Sequence, residues 1–188
     1  LKTDHLQNPL GYRISRPVFT WLTESDGRTQ TWARIEIAAD EAFAKVLYDS
    51  GRREDISCTG FQPDFDPAPR TRYFWRVSAA ADTGDTAMSD PAWFETALAR
   101  DGWSARWITP GFDKKTHPIF QKSFTLPEDV VSARAYACGL GIYELSVNGR
   151  KAGDEYLLPG FHAYDFWQQY QTFDLTGLLR AGENTVSA

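Results

Sequence analysis

Apolar and polar residues alternate with a period of two through much of residues 1–100, the mark of half-buried β-strands. In WARIEIAA, residues 32–39, Ala33, Ile35, Ile37 and Ala39 fall on one face, and Arg34, Glu36 and Ala38 on the other. Residues 73–79 alternate in the same way, with Tyr73, Trp75, Val77 and Ala79 turned inward. Shorter strands are expected at 18–22 after Pro17, at 46–51 closed by Ser50 and Gly51, and at 92–96 after Pro91. Turn-forming clusters at 24–27, 63–69 and 82–85 separate these runs, and one helical turn is expected at 40–44. Short strands with regular turn signals predict an antiparallel β-sandwich of about 100 residues.

The alternation stops at residues 96–103, where Ala97-Leu98-Ala99-Arg100-Asp101-Gly102 shows none. A boundary at 100–102 divides the chain into units 1–100 and 101–188. Beyond it, 119–126 alternates weakly, and 133–138 and 142–147 read as strands joined through Gly139, Leu140 and Gly141. Asn148-Gly149 calls for a type I′ hairpin turn, because both central residues of that turn need positive φ. A further strand is expected at 169–173, a short capped turn at 174–179, and a last strand opening at Asn184. The fold class expected is all-β: a first sandwich followed by a partial jelly roll. The final strand is expected to belong to an unfinished sheet. That leaves an open edge, and a second unit less stable than the first or prone to associate.

A chain of 188 residues accommodates one large or two small domains. Its hydrophobic content of 42% supports real cores, and an aromatic share of 14% favours pleated, half-buried surfaces. The net charge of −5 comes without a basic stripe in either half, which speaks against a nucleic-acid partner. No run of 18 apolar residues is present, so no membrane span is expected. The start, LKTDHLQNP, carries no basic-then-apolar leader pattern, and the compartment stays open. Cys58 and Cys138 fall in different units and read as buried free thiols rather than a disulfide. No C-x-x-C or H-E-x-x-H spacing occurs, so neither a metal site nor a cofactor is expected.

Candidate chemistry is sparse. Asp154 and Glu155 form an acidic pair of the kind acid/base work uses, but beside a hairpin the ordinary reading is two solvated charges. Asp64 with Asp66, and Asp82 with Asp85, offer oxygen ligands without the full spacing of a calcium loop. His5, His117 and His162 lie far apart, with no nucleophile at a spacing that implies a triad. Phe161, His162, Tyr164, Phe166, Trp167 and Tyr170 form the densest group of rings. Of these, His162, Tyr164, Trp167 and Tyr170 are the candidates for stacking a sugar or docking a neighbouring domain. The ordinary alternative is a loop packed on its own sandwich.

Several segments, in order, resemble bacterial α-L-rhamnosidases. They are Asn8-Pro9-Leu10-Gly11, Pro17-Val18-Phe19-Thr20-Trp21, Gln30-Thr31-Trp32-Ala33-Arg34-Ile35 and Tyr48-Asp49-Ser50-Gly51. Tyr73-Phe74-Trp75-Arg76-Val77, Trp93-Phe94-Glu95-Thr96 and Trp103-Ser104-Ala105-Arg106-Trp107-Ile108 follow, then GLGIYELSVNGRKAGDEYLLPGFHAYDFWQQYQTFDLTGLLRAGEN at 139–184. The resemblance implies a fibronectin-III-like first domain and the start of a β-sandwich accessory domain. It implies that a later helical barrel carries the acid and base of an inverting hydrolysis of terminal α-L-rhamnose. No position here matches those carboxylates, so no catalytic residue is assigned. Where other family members insert a calcium-dependent rhamnose-binding module, this sequence has only the stretch 109–118. The partners implied are rhamnosylated glycosides, met through a catalytic domain outside this sequence, and the downstream domains of the same polypeptide. The alternative is a stand-alone carbohydrate-binding or interaction module of two β-domains.

Overall fold

The computed structural model describes residues 1–99, 101–112 and 115–188. Arg100, at one end of the expected boundary, and two positions of the 109–118 stretch lie outside the described residues. The chain divides into compact units at Leu1–Trp103 and Ser104–Ala188. Both are built of strands, and no helix occurs among the described residues.

The first unit holds β1 (Lys2–Thr3), β2 (Leu10–Tyr12), β3 (Phe19–Thr20), β4 (Gln30–Ala38), β5 (Val46–Asp49), β6 (Arg72–Ala81), β7 (Thr86–Met88) and β8 (Ala92–Thr96). One sheet runs in the order β2-β8-β6-β4-β5, with β7 also paired to β6. Its pairings are antiparallel except β2 on β8, which is parallel and so departs from the antiparallel expectation. The strands β1, β2 and β7 went unseen in the sequence, being two or three residues long and too short for a period to show.

Alternation along β4 and β6 decides which face is buried. Ala33 stands opposite Ala79, Ile35 opposite Val77 and Ile37 opposite Trp75, and all six are buried. Over this face lie β1 and β3, tied to the connection between β5 and β6 by a Phe19–Phe61 bridge. Phe19 stacks on Trp75 with ring centroids 4.1 Å apart, and Phe94 stacks on Tyr73 at 5.3 Å. The pattern slips at the end of β4. Ala38 is buried and Ala39 exposed, the reverse of strict alternation, because the pairing of β4 with β5 shifts between Ile37 and Ala38. Residues 40–44 form a turn instead of a helical turn. There the Asp40 carboxylate accepts the Ala44 and Lys45 amides at 3.0 and 2.9 Å.

The opposite face of the sheet is charged. Glu36 of β4 faces Asp49 of β5, a like-charged pair, and Arg34 reaches both, with nitrogen–oxygen distances of 3.2 and 2.6 Å. Glu36 also binds Arg76 at 2.9 Å, and Glu95 binds Arg72 at 3.0 Å. The arginines in turn cover rings, Arg76 lying 4.1 Å over Phe43 and Arg72 3.9 Å over Trp93.

The second unit holds β9 (Gln121–Leu126), β10 (Arg134–Ala137), β11 (Ser146–Val147), β12 (Arg150–Lys151), β13 (Gln171–Asp174) and β14 (Gly182–Ser187). One sheet has the order β12-β11-β14-β9, and a second pairs β10 with β13. Between them Leu145, Val147, Ala152, Phe173 and Leu175 form a smaller core. The strand expected from Asn184 starts two positions earlier and is internal, paired with β9 along its length and with β11 at its end. The expected strand at 142–147 shrinks to Ser146–Val147, with Tyr143 contributing one bridge to Leu158. Asn148 and Gly149 take φ of 52° and 75°, as a type I′ turn requires.

A pair of asparagines joins that hairpin to β14. The Asn148 side-chain amide donates to Leu178 O at 2.9 Å and to Asn184 Oδ1 at 2.8 Å, and its oxygen accepts the Thr185 amide at 2.9 Å. Asn184, 1% exposed, donates to Arg180 O and Gly182 O at 2.7 and 3.0 Å. Both cysteines are free and half-buried, Cys58 against the first core, so the reading of fully buried thiols overstates their cover.

Trp75 fills the centre of the first core, so Trp75→Ala is expected to cost about 3–5 kcal/mol, as large aromatic truncations do. Urea unfolding followed at the first unit measures it, and an unchanged midpoint would mean that the β6 register is wrong. Acid should also loosen this unit. Hydrogen bonds from Arg34 to Asp49, from Arg53 to Asp55, and from backbone amides to Asp40 and Asp82 hold these four carboxyls below the ordinary aspartate range. The unfolded chain therefore takes up protons first as pH falls, and the stability these groups add above pH ~4 is lost on descending through the lower folded values. Asp49→Asn combined with Asp82→Asn should flatten the fall of unfolding free energy between about pH 5 and 2; an unchanged slope would assign the acid response to other groups.

Candidate functional site

The ring-rich candidates sit in the long connection between β12 and β13. Its backbone is held at several points. Gly153 and Gly160 take φ of 76° and 79°, and the amide of Gly160 donates to Leu157 O at 2.9 Å. Residues 163–167 make one helix-like turn, in which the Phe166 and Trp167 amides donate to Ala163 O at 2.9 and 3.0 Å. The Gln168 side chain closes this turn on Tyr164 O at 2.7 Å.

That turn wraps two rings around a third. His162 is 3% exposed. Tyr164 meets it edge-on with centroids 4.7 Å apart, and Trp167 lies against it at 5.0 Å. Neither imidazole nitrogen has a hydrogen-bond partner among the described residues. Tyr170 is elsewhere, half-buried and edge-on to Tyr136 of β10 at 6.1 Å. Three of the four expected residues thus form one cluster, and the fourth packs on the neighbouring sheet.

The most exposed apolar side chains of the connection are Phe161 at 97% and Phe166 at 88%, with Tyr156 at 79%. The antiparallel Tyr143–Leu158 bridge brings Ile142, also exposed, alongside this segment. Sequence reading missed Ile142 and Leu157 as surface residues, since an apolar residue inside an expected strand or apolar run is assigned to the core. The signal available was the glycine flanking of Ile142, where Gly139 and Gly141 stand just before it.

The acidic candidates separate. Asp154 and Glu155 are both exposed, as are Asp64 and Asp66. The Asp82 carboxylate accepts the Arg28 amide at 2.9 Å and the Thr29 hydroxyl at 3.1 Å, and so pins a turn. Asp85 accepts the Thr83 hydroxyl at 2.6 Å. The buried carboxylates among the described residues are Glu36 and Glu95, each paired with arginine. An acid or base needs a side chain free to exchange its proton with substrate, and these two are committed to the sheet. His5 and His117 are exposed and distant in sequence from His162. No group of three or more His, Cys, Asp or Glu side chains fit to hold a metal occurs among the described residues. No described helix is long and apolar enough to cross a membrane.

Comparison with known proteins follows this division into units. Residues 1–100 match the family described as "Rha78A-like, N-terminal immunoglobulin domain". Residues 128–188 match the "Alpha-L-rhamnosidase N-terminal domain". Immunoglobulin and fibronectin-III-like domains share one sandwich architecture. An α-L-rhamnosidase of Formosa agariphila is 29% identical over 95% of this chain, and one of Streptomyces avermitilis 26% identical over 98%. Those alignments take in 22% and 21% of the two relatives. The solved α-L-rhamnosidase of Dictyoglumus thermophilum superposes on 99% of the chain with TM-score 0.84 and 26% identity, over 24% of its own length. That of Aspergillus terreus does so with TM-score 0.77 and 26% identity, over 22% of its length.

His162→Phe tests the cluster. A benzyl ring keeps the shape wedged between Tyr164 and Trp167 and removes two buried polar atoms without partners, so stability should hold or rise. A thermal unfolding temperature lowered by that change would show that an imidazole nitrogen is bonded in the folded chain.

Proposed function

This chain belongs to the family described as "Rha78A-like, N-terminal immunoglobulin domain", and on that premise we propose that it is the non-catalytic amino-terminal part of a rhamnose-releasing glycoside hydrolase. The observation that carries the reading is the order of the two family matches along one chain, together with alignments that cover nearly all of it and about a fifth of each relative. On this reading the substrate is a glycoside ending in α-L-rhamnose, and it meets a catalytic domain of the same polypeptide. Inverting hydrolysis uses two carboxyls roughly 6.5–9.5 Å apart with a water between them. Among the described residues the buried carboxylates are held by arginines and the remaining candidates are exposed or pin turns, an arrangement suited to support and not to proton transfer.

The accessory role is structural in its chemistry. Each of the two β-units has its own core, and no buried acid–base pair occurs among the described residues.

The test is hydrolysis of an aryl α-L-rhamnoside. The chain alone should release no aryl alcohol above buffer, while a polypeptide extended to the length of the relatives should turn over. Activity in the short chain that follows the protein through successive columns would refute the accessory reading, and Asp154→Asn with Glu155→Gln would then be the first variants to assay. Absence of turnover in the extended polypeptide would remove the rhamnoside as substrate.

A further inference from the structure

We propose that Asn148 is a modification site: its spontaneous deamidation is held off by the folded second unit and, once it has happened, stops the β11–β12 hairpin from regaining its bonds to β14. The reaction needs only water and residues already in place.

An asparagine followed by glycine cyclises readily, because glycine has no side chain to hinder approach to its amide nitrogen. The Gly149 nitrogen attacks Cγ of Asn148 and a C–N bond forms. The Cγ–Nδ2 bond breaks, and ammonia leaves with the amide proton. Water then opens the cyclic imide at either carbonyl, to aspartate or to isoaspartate, whose backbone is longer by one carbon. The other asparagines are poorer sites. Asn8 precedes Pro9, whose nitrogen has no hydrogen to lose, and Asn184 precedes the β-branched Thr185.

The fold closes this route at the side chain itself. Cyclisation requires Cγ to swing onto the Gly149 nitrogen and Nδ2 to depart. Here Nδ2 donates to Leu178 O at 2.9 Å and to Asn184 Oδ1 at 2.8 Å, and Oδ1 accepts the Thr185 amide at 2.9 Å. All three bonds run to β14 and the turn before it, so the side chain turns freely only when the hairpin parts from that strand.

The product does not fit the place the asparagine leaves. The Thr185 N–H decides which end of the Asn148 amide is the acceptor. Asn184 is oriented in the same way, since its Oδ1 accepts the Arg180 amide at 3.1 Å and its Nδ2 donates to Arg180 O and Gly182 O at 2.7 and 3.0 Å. It cannot flip to offer a hydrogen without facing two carbonyls with its own oxygen. At neutral pH an aspartate at 148 therefore meets two acceptors, Leu178 O and Asn184 Oδ1, beside a residue only 1% exposed. Unmatched acceptors away from water oppose closure. The turn is not the obstacle to aspartate, because Asp-Gly suits type I′ as Asn-Gly does. The loss falls on the asparagine network.

Incubating the 188-residue chain at mildly alkaline pH, with and without denaturing urea, tests the first half. The tryptic peptide 135–150 carries Asn148 as its sole asparagine, and the mass change from amide to acid reads its conversion. Conversion should be at least about tenfold slower in the folded chain than in urea, since it follows the small fraction of time the hairpin is open. In urea Asn148 should convert ahead of Asn184. Below the unfolding transition its rate should rise in step with hydrogen exchange at the Thr185 amide. Equal rates in folded and unfolded chain, or a rate indifferent to exchange at Thr185, would overturn the proposal. Asn148→Asp tests the second half. Exchange at the Thr185 amide should be faster by about tenfold or more, while the amides of β4 and β6 exchange as before. An unfolded second unit beside an intact first one is the same result at its limit. A Thr185 amide as protected as in the parent would show that the hairpin closes on the acid, and would sink the claim that the change is a lock.

Discussion

The first unit depends on the contact between Phe19 and Trp75. Phe19 sits on a strand of two residues, β3, which is too short to hold its place by backbone bonds alone. Its ring stacks on Trp75 at 4.1 Å and meets Phe94 at 6.0 Å, while its backbone bonds to Phe61 in both directions. Through that residue the small β1–β3 ribbon closes the apolar side of the large sheet. The sheet can then afford charge on its other side, where Arg34, Glu36, Arg76 and Asp49 join strands β4, β5 and β6. Burial of one face and ionic pairing of the other are the two results of one period-two pattern.

The second unit solves the same problem with less apolar area, and polar bonds make up part of the difference. Asn184 stands at a core position of β14 yet is fully bonded, through its own turn and through Asn148. Asn148 in turn occupies the positive-φ position of the hairpin. A residue chosen by the turn therefore also fixes the register between hairpin and final strand. Buried polar groups cost little when each donor and acceptor is met, and here all four side-chain polar groups of the two residues are.

How much of this was legible follows from where the signal lies. The long strands announced themselves, since Ala33, Ile35 and Ile37 and then Tyr73, Trp75 and Val77 repeat over enough residues for a period to be read. The type I′ turn was legible from two residues, because its chemistry admits few others. The short strands β1, β2 and β7 were not, nor was the parallel β2–β8 pair, which depends on where the chain returns rather than on local composition. At the candidate site, the ring cluster could be seen as a density of aromatic letters. Its division could not: His162 turns in, Phe161 and Phe166 turn out, and Tyr170 leaves for Tyr136. An irregular loop has no period, so neighbouring letters say nothing about which side of the backbone each ring takes.

A loop that folded merely to bury its own rings would turn the largest apolar groups inward and leave the titratable one in water. This loop does the reverse at adjacent positions, enclosing the imidazole of His162 and exposing the ring of Phe161. The enclosed histidine fills space between Tyr164 and Trp167. Phe161 and Phe166 stand out beside this cluster, and their exposure is set by the same loop that encloses the imidazole.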